Sequence, residues 1–151
     1  MADSVLSRLF AHNNWANLRI IEACSALTDE QLDAQPQTAT KGSILRTLEH
    51  LVDSQQFYLR LLTGEEPRFN LKGSRSFSDL EAAAKLSGEG FLTVARDEAD
   101  KMPRERRQTR DGYLVEPWVV MLQVINHATE HREQISSMLT SLGLTPPDMD
   151  G

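Results

Sequence analysis

Cysteine is nearly absent: the 151 residues hold one, Cys24, so no intrachain disulfide can form and a cytoplasmic location is expected. Cys24 falls among Ile20, Ile21 and Leu27, the setting of a small buried residue and not of a nucleophile. No stretch approaches the ~18 uninterrupted apolar residues of a membrane span. The opening Met-Ala-Asp-Ser has no apolar run behind a basic region, so no signal peptide is expected. An excess of basic residues is missing too. The net charge is −6, which argues against nucleic acid as a partner because phosphate binding needs a basic surface. Lys101, Arg104, Arg106, Arg107 and Arg110 do gather within ten residues, and are read here as solvated surface charge. Neither a Gly-x-Ser-x-Gly elbow nor a glycine-rich phosphate loop occurs, which removes the common serine hydrolases and nucleotide binders.

What is present is an ordinary globular balance, 40% hydrophobic and 25% charged, in a length that suits one domain over residues 1–151. Apolar residues recur at helical spacing over residues 4–26, with Asp3 or Ser4 placed to cap the start. That first helix also carries His12, Asn13, Asn14 and Asn17, an unusual polar group in so apolar a segment. Thr28-Asp-Glu-Gln31 is a capping box for a short turn of helix that Pro36 ends. A second long helix is expected over about 43–63, between the cap Ser43 and the stop Gly64. After a loop over 64–76, Ser78-Asp-Leu-Glu81 predicts a third helix to about residue 101, weakened by Gly88 and Gly90. Asp111-Gly112 between short β-prone arms, 108–115, predicts a small hairpin. Pro117 opens the last helix, which ends near Gly143. Four long amphipathic helices and one hairpin or loop before the last imply an all-α, antiparallel four-helix bundle.

The chemistry gathers in the last helix. His127 and His131 lie four residues apart, one above the other on a helix face. By angle, Val120, Val124, Ala128, Ile135, Met138 and Leu142 share that stripe, so both imidazoles are expected to point into the core. His50 sits on a half-buried flank of the second helix and can supply a third nitrogen. Three neutral imidazoles leave a coordination position open, the habit of catalytic metal sites. Spacing alone leaves a second reading open, in which core histidines bond to backbone carbonyls or carboxylates. His127-Ala-Thr-Glu130-His131 also fits the inverted zinc-protease pattern, but too few residues follow for its distant ligand. His12 can approach the site from the first helix, but a polar spot near the bundle surface is the favoured placement.

Three segments carry a family resemblance: His12-Asn-Asn-Trp15-Ala-Asn17, Gly42-Ser43 through Glu49-His50, and Asn126-His127 through Gln134-Ile135 with Leu142-Gly143 and Pro146-Pro147 after it. In this order they resemble the DinB/YfiT-like family of metal-binding four-helix bundles. The resemblance implies a metal triad of His50, His127 and His131, a divalent ion such as nickel or zinc, and a homodimer. It further implies a small-molecule substrate and, in several relatives, S-transfer from a low-molecular-weight thiol; other relatives have no known activity. No catalytic residue beyond the ligands is identified. Glu49 or Glu130 is within reach to orient an imidazole from a second layer, although an exposed place on the helix face is the commoner fate of such carboxylates. A non-catalytic bundle that binds a metal or ligand in a stress response is the alternative.

Overall fold

A computed structural model describes residues 3–36 and 41–151. Four long helices, α1 (Val5–Ser25), α3 (Ile44–Thr63), α4 (Phe77–Arg96) and α6 (Pro117–Ser141), form the bundle. Short helices α2 (Asp29–Asp33) and α5 (Glu98–Lys101) and a hairpin of β1 (Arg107–Gln108) and β2 (Leu114–Val115) complete the described elements. None of the helices is long and apolar enough to cross a membrane among the described residues.

Local chemistry accounts for most boundaries. Ser4 and Ser43 each accept a hydrogen bond from the backbone three residues on, and Thr28 and Gln31 complete a reciprocal capping box. Gly64 ends α3 in a left-handed conformation, φ 83°, that other residues enter at a cost. Gly112, φ 85°, turns the hairpin. The start of α4 differs from expectation: Ser76 is the cap, not Ser78. Starting earlier brings Phe77 into the helix, from where it packs on the core. The helix also ends sooner, because Asp97 leaves helical geometry before α5 begins.

Gly88 and Gly90 do not loosen α4; they let its neighbours close in. A Cβ at Gly88 would stand 2.7 Å from Asn14 Oδ1 on α1, and one at Gly90 would meet the Leu59 methyls of α3. Absence of a side chain here is what sets the interhelical distance.

The packing partners reveal the connectivity. α1 lies against α4 and α6, and α3 lies against the same two, so α1 and α3 are diagonal. Ser4 meets Ala95, Phe10 stacks on Phe91 and Asn14 meets Gly88, which makes α1 and α4 antiparallel. α3 runs antiparallel to α6 but in the same sense as α4, since Gln55 reaches Ala84 while Leu59 meets Gly90. The parallel pair explains the long loop over 64–76. Its 13 residues can reach roughly 43 Å when extended, enough to return along a 20-residue helix of about 30 Å.

Two apolar clusters fill the bundle, one around Leu48, Leu51 and Ile135, the other around Phe10, Phe91 and Val124. Between helices runs a buried polar chain. Arg132 of α6 donates to Asn13 Oδ1 at 2.9 Å and Asn17 Oδ1 at 2.6 Å on α1. Asn17 donates to Gln55 of α3 at 3.1 Å, and Gln55 donates to Ala84 O and Ser87 Oγ of α4. All four long helices are thereby joined. Arg132 is 6% exposed and forms no ion pair among the described residues, and burial pulls its pKa down to about 10. Replacing it strands two buried amide oxygens. Arg132→Ala is therefore expected to lower unfolding stability by about 2–4 kcal/mol. A denaturant titration in which the variant stays within about 0.5 kcal/mol of the parent would rule out this role for the network.

Candidate metal centre

Each histidine reaches the site for a local reason. Ser43 fixes where α3 begins, so His50 falls on its seventh residue and faces α6. On α6, His127 and His131 share one stripe with Val120, Val124, Ala128 and Ile135, all buried. His131 is 2% exposed, while His50 and His127 are half-buried. The three rings offer one nitrogen each within 4.8 Å of one another. His127 Nε2 is the common member, 3.0 Å from His50 Nε2 and 3.1 Å from His131 Nε2.

Proton counting makes this geometry informative. Gln134 Oε1 lies 2.7 Å from His131 Nδ1, and an amide oxygen only accepts, so the His131 proton sits on Nδ1. Its Nε2 is left with a lone pair aimed at His127. If His127 Nε2 carries a proton it donates to one neighbour and cannot accept from the other. If it carries none, it faces the bare His131 nitrogen. For neutral rings one of the two short contacts therefore stays unsatisfied, at a real cost in a half-buried site. A cation between the rings satisfies all three nitrogens at once. Tetrahedral zinc with bonds of about 2.0–2.1 Å separates its donors by roughly 3.3 Å, close to what these rings already adopt.

Electrostatics favour the neutral rings that such ligation needs. Burial, then the charges that His131, His50 and Lys41 would add, lowers the His127 pKa from 6.5 to about 4. His50 is lowered by burial first, then by His131 and Lys41, against weaker opposition from Asp53 and Glu49.

Sequence reasoning assembled the triad residues and missed their support. The imidazole-orienting partner is Gln134, not Glu49 or Glu130. Glu49 pairs with Arg46 at 3.1 Å, and Glu130 is exposed. An i, i+3 step from His131 was the available signal. Tyr58, also unforeseen, stands edge-on to His127 with ring centroids 5.7 Å apart. His12 is exposed beside Trp15 on α1 and takes no part. Cys24 is fully buried, which pushes its thiol pKa up to about 12 and leaves it inert.

The sequence matches the model of the DinB family over residues 1–151, and the chain belongs to that family. Among solved structures it is similar to YfiT from Bacillus subtilis, with a TM-score of 0.69 and 16% identity over 96% of this chain and 91% of that one. YfiT is described as a probable metal-dependent hydrolase with an unusual four-helix bundle topology. No curated protein sequence matches.

The lowered pKa values fix a sign. Between pH 6.5 and about 4 the unfolded chain binds protons at His127 that the fold refuses. Stability is thus complete above pH 6.5 and falls as pH drops toward about 4. Chelator-treated protein should show this loss in denaturant titrations across that range, and His127→Asn should flatten it. An unchanged slope in the variant would refute the assignment.

Proposed function

We propose that this DinB-family chain is a metal-dependent enzyme in which His50, His127 and His131 hold one divalent ion, nickel or zinc, with a position left open. The strongest support is the meeting of three imidazole nitrogens that cannot satisfy one another. The description of YfiT, which shares the fold, supports the metal-dependent class. When bound, such an ion acidifies a thiol or water ligand and so supplies a nucleophile near neutral pH.

The reaction proposed is transfer of a low-molecular-weight thiol to a small electrophile, with hydrolysis as the variant in which water replaces the thiol. The thiol sulfur bonds to the electrophilic carbon, the leaving group departs with the bonding pair, and the thiol proton passes to solvent. Gln134 keeps the His131 proton on Nδ1, and Tyr58 screens the His127 ring from water on one side. One observation supports a second, non-catalytic reading in which the site only binds its ligand. No carboxylate is hydrogen-bonded to the triad among the described residues, so no general base stands ready.

The proposal includes a homodimer in the cytoplasm. Val5 and Leu9 of α1 are 76% and 48% exposed, and Trp118 and Leu122 of the adjoining α6 are 60% and 51% exposed. Apolar side chains this open on two adjoining helices suit a surface that a second copy covers.

Elemental mass spectrometry on protein purified without a metal-affinity column is the test. Near-stoichiometric nickel or zinc is expected in the parent and none in His131→Ala, whose helical circular dichroism persists while turnover disappears. Turnover retained by metal-free His131→Ala would sink the enzyme reading. Bound metal without turnover of any thiol and electrophile pair would select the binding-only alternative.

A further inference from the structure

The basic residues before the last helix, read from sequence as solvated charge, are not all alike once folded. Arg106 pairs with Glu116. Arg107 instead folds back on α3, donating from Nε and Nη2 to Leu62 O at 3.1 and 2.9 Å, and Arg110 lies 4.5 Å over the Phe57 ring. Both line a cavity of about 380 Å³ between the hairpin and the second half of α3, together with Phe57, Arg60, Leu61 and Thr109. Arg60 is neutralised by Glu66 at 3.0 Å. Among the described residues Arg107 and Arg110 form no ion pair, and Arg107 Nη1 makes no hydrogen bond. In a chain of net charge −6, two unmatched guanidiniums on one small cavity call for an anion.

The position of this cavity ties it to the triad. Phe57 follows His50 by seven residues, two turns along the same side of α3, a rise of about 10 Å. A continuous aromatic wall joins them. The Phe57 and Tyr58 rings are 5.9 Å apart, and Tyr58 stands 5.7 Å from the His127 ring. A molecule with its sulfur at the triad would therefore lie along Tyr58 and Phe57 and place its far end between the arginines. Three extended residues span about 10 Å.

We propose that this cavity binds the carboxylate of the thiol that reacts at the triad, which makes that thiol an acidic, tripeptide-sized molecule. The inference rests on the metal-dependent reading for the identity of the group at the triad, but not for the anion contact itself. Arg107, held by the Leu62 carbonyl, is the fixed donor, and Arg110 closes over the carboxylate from the Phe57 face. The bidentate fork of a guanidinium suits a carboxylate, and the aromatic floor orients it.

Calorimetric titration of the metal-loaded chain with glutathione and with glutathione diethyl ester tests this, because the two share a thiol and differ in charge. The acid should bind roughly tenfold tighter than the ester, with the preference shrinking as salt is raised. R107Q/R110Q should bring the acid down to the ester and leave the ester unchanged. R110Q alone, at an exposed position that leaves the Leu62 contact intact, should remove about half of the logarithmic preference. Equal binding of acid and ester, no binding of either, or a preference that survives in R107Q/R110Q would overturn the proposal. S-methylglutathione and its ester, offered to chelator-treated His131→Ala, separate the two readings. The acid preference should persist there without metal. Its loss there would overturn the anion contact, whereas a parent chain that takes up no divalent ion yet keeps the preference would discard the metal-dependent reading alone.

Discussion

Three imidazole nitrogens meet across 3.0 and 3.1 Å, and neutral rings cannot turn both contacts into hydrogen bonds. Everything around the triad can be understood as holding that otherwise unfavourable meeting in place. Left to themselves the rings would rotate outward, since half-buried His50 and His127 have solvent within reach. Gln134 fixes the His131 ring from behind, and Tyr58 blocks the His127 ring from the side. The apolar residues of the same α6 stripe leave no room for the helix to turn.

Arg132 supplies the complementary constraint. A step of one residue turns the helix by about 100°, so α6 presents His131 toward α3 and Arg132 toward α1. The same two-residue segment thus bonds to both flanking helices. Rolling α6 to release the histidines would pull Arg132 from Asn13 and Asn17, and those asparagines are tied through Gln55 to α4. A buried cation without an ion pair is a costly brace. Its hydrogen bonds are directional where packing is not, and direction is what a three-nitrogen site needs.

How much of this was legible in the sequence depended on the range of the interaction. Caps are local, so Ser43 and Gly64 marked the ends of α3, and Thr28 and Gln31 marked α2. The i, i+4 step of His127 and His131 and the apolar stripe beside them are local too. Topology was not, because nothing within α1 or α3 says that these consecutive helices sit diagonally. The meaning of Gly88 and Gly90 depended on the partners that press against them, Asn14 and Leu59. Choosing Glu49 or Glu130 over Gln134 favoured charge over reach. Asn13 and Asn17 stood out as odd in an apolar helix, but their partner lies more than a hundred residues away. Arg107 and Arg110 separated from their basic neighbours only when the hairpin folded against α3.

The same burial that makes the triad awkward also prepares it. A proton and a cation compete for each Nε2, and ordinary imidazole is part-protonated near pH 6.5. Desolvation comes first among the causes that depress His127 to about 4, ahead of its histidine neighbours and Lys41. The proton is thereby handicapped by the environment that a divalent ion, which brings its own charge to all three nitrogens together, can overcome. Lowering proton affinity through desolvation does not require a nearby fixed cation, which would repel the ion as well. Outside the triad itself, Lys41 is the positive side chain felt at both His50 and His127, and at both it ranks behind burial and His131. The buried guanidinium of Arg132 is spent on α1 instead. Positive charge is thus kept off the nitrogens and placed either across the helix, where it braces the fold, or farther along α3, where Arg107 and Arg110 face a separate cavity. That separation of charge lets three bare lone pairs and an anion-seeking surface coexist about two helical turns apart.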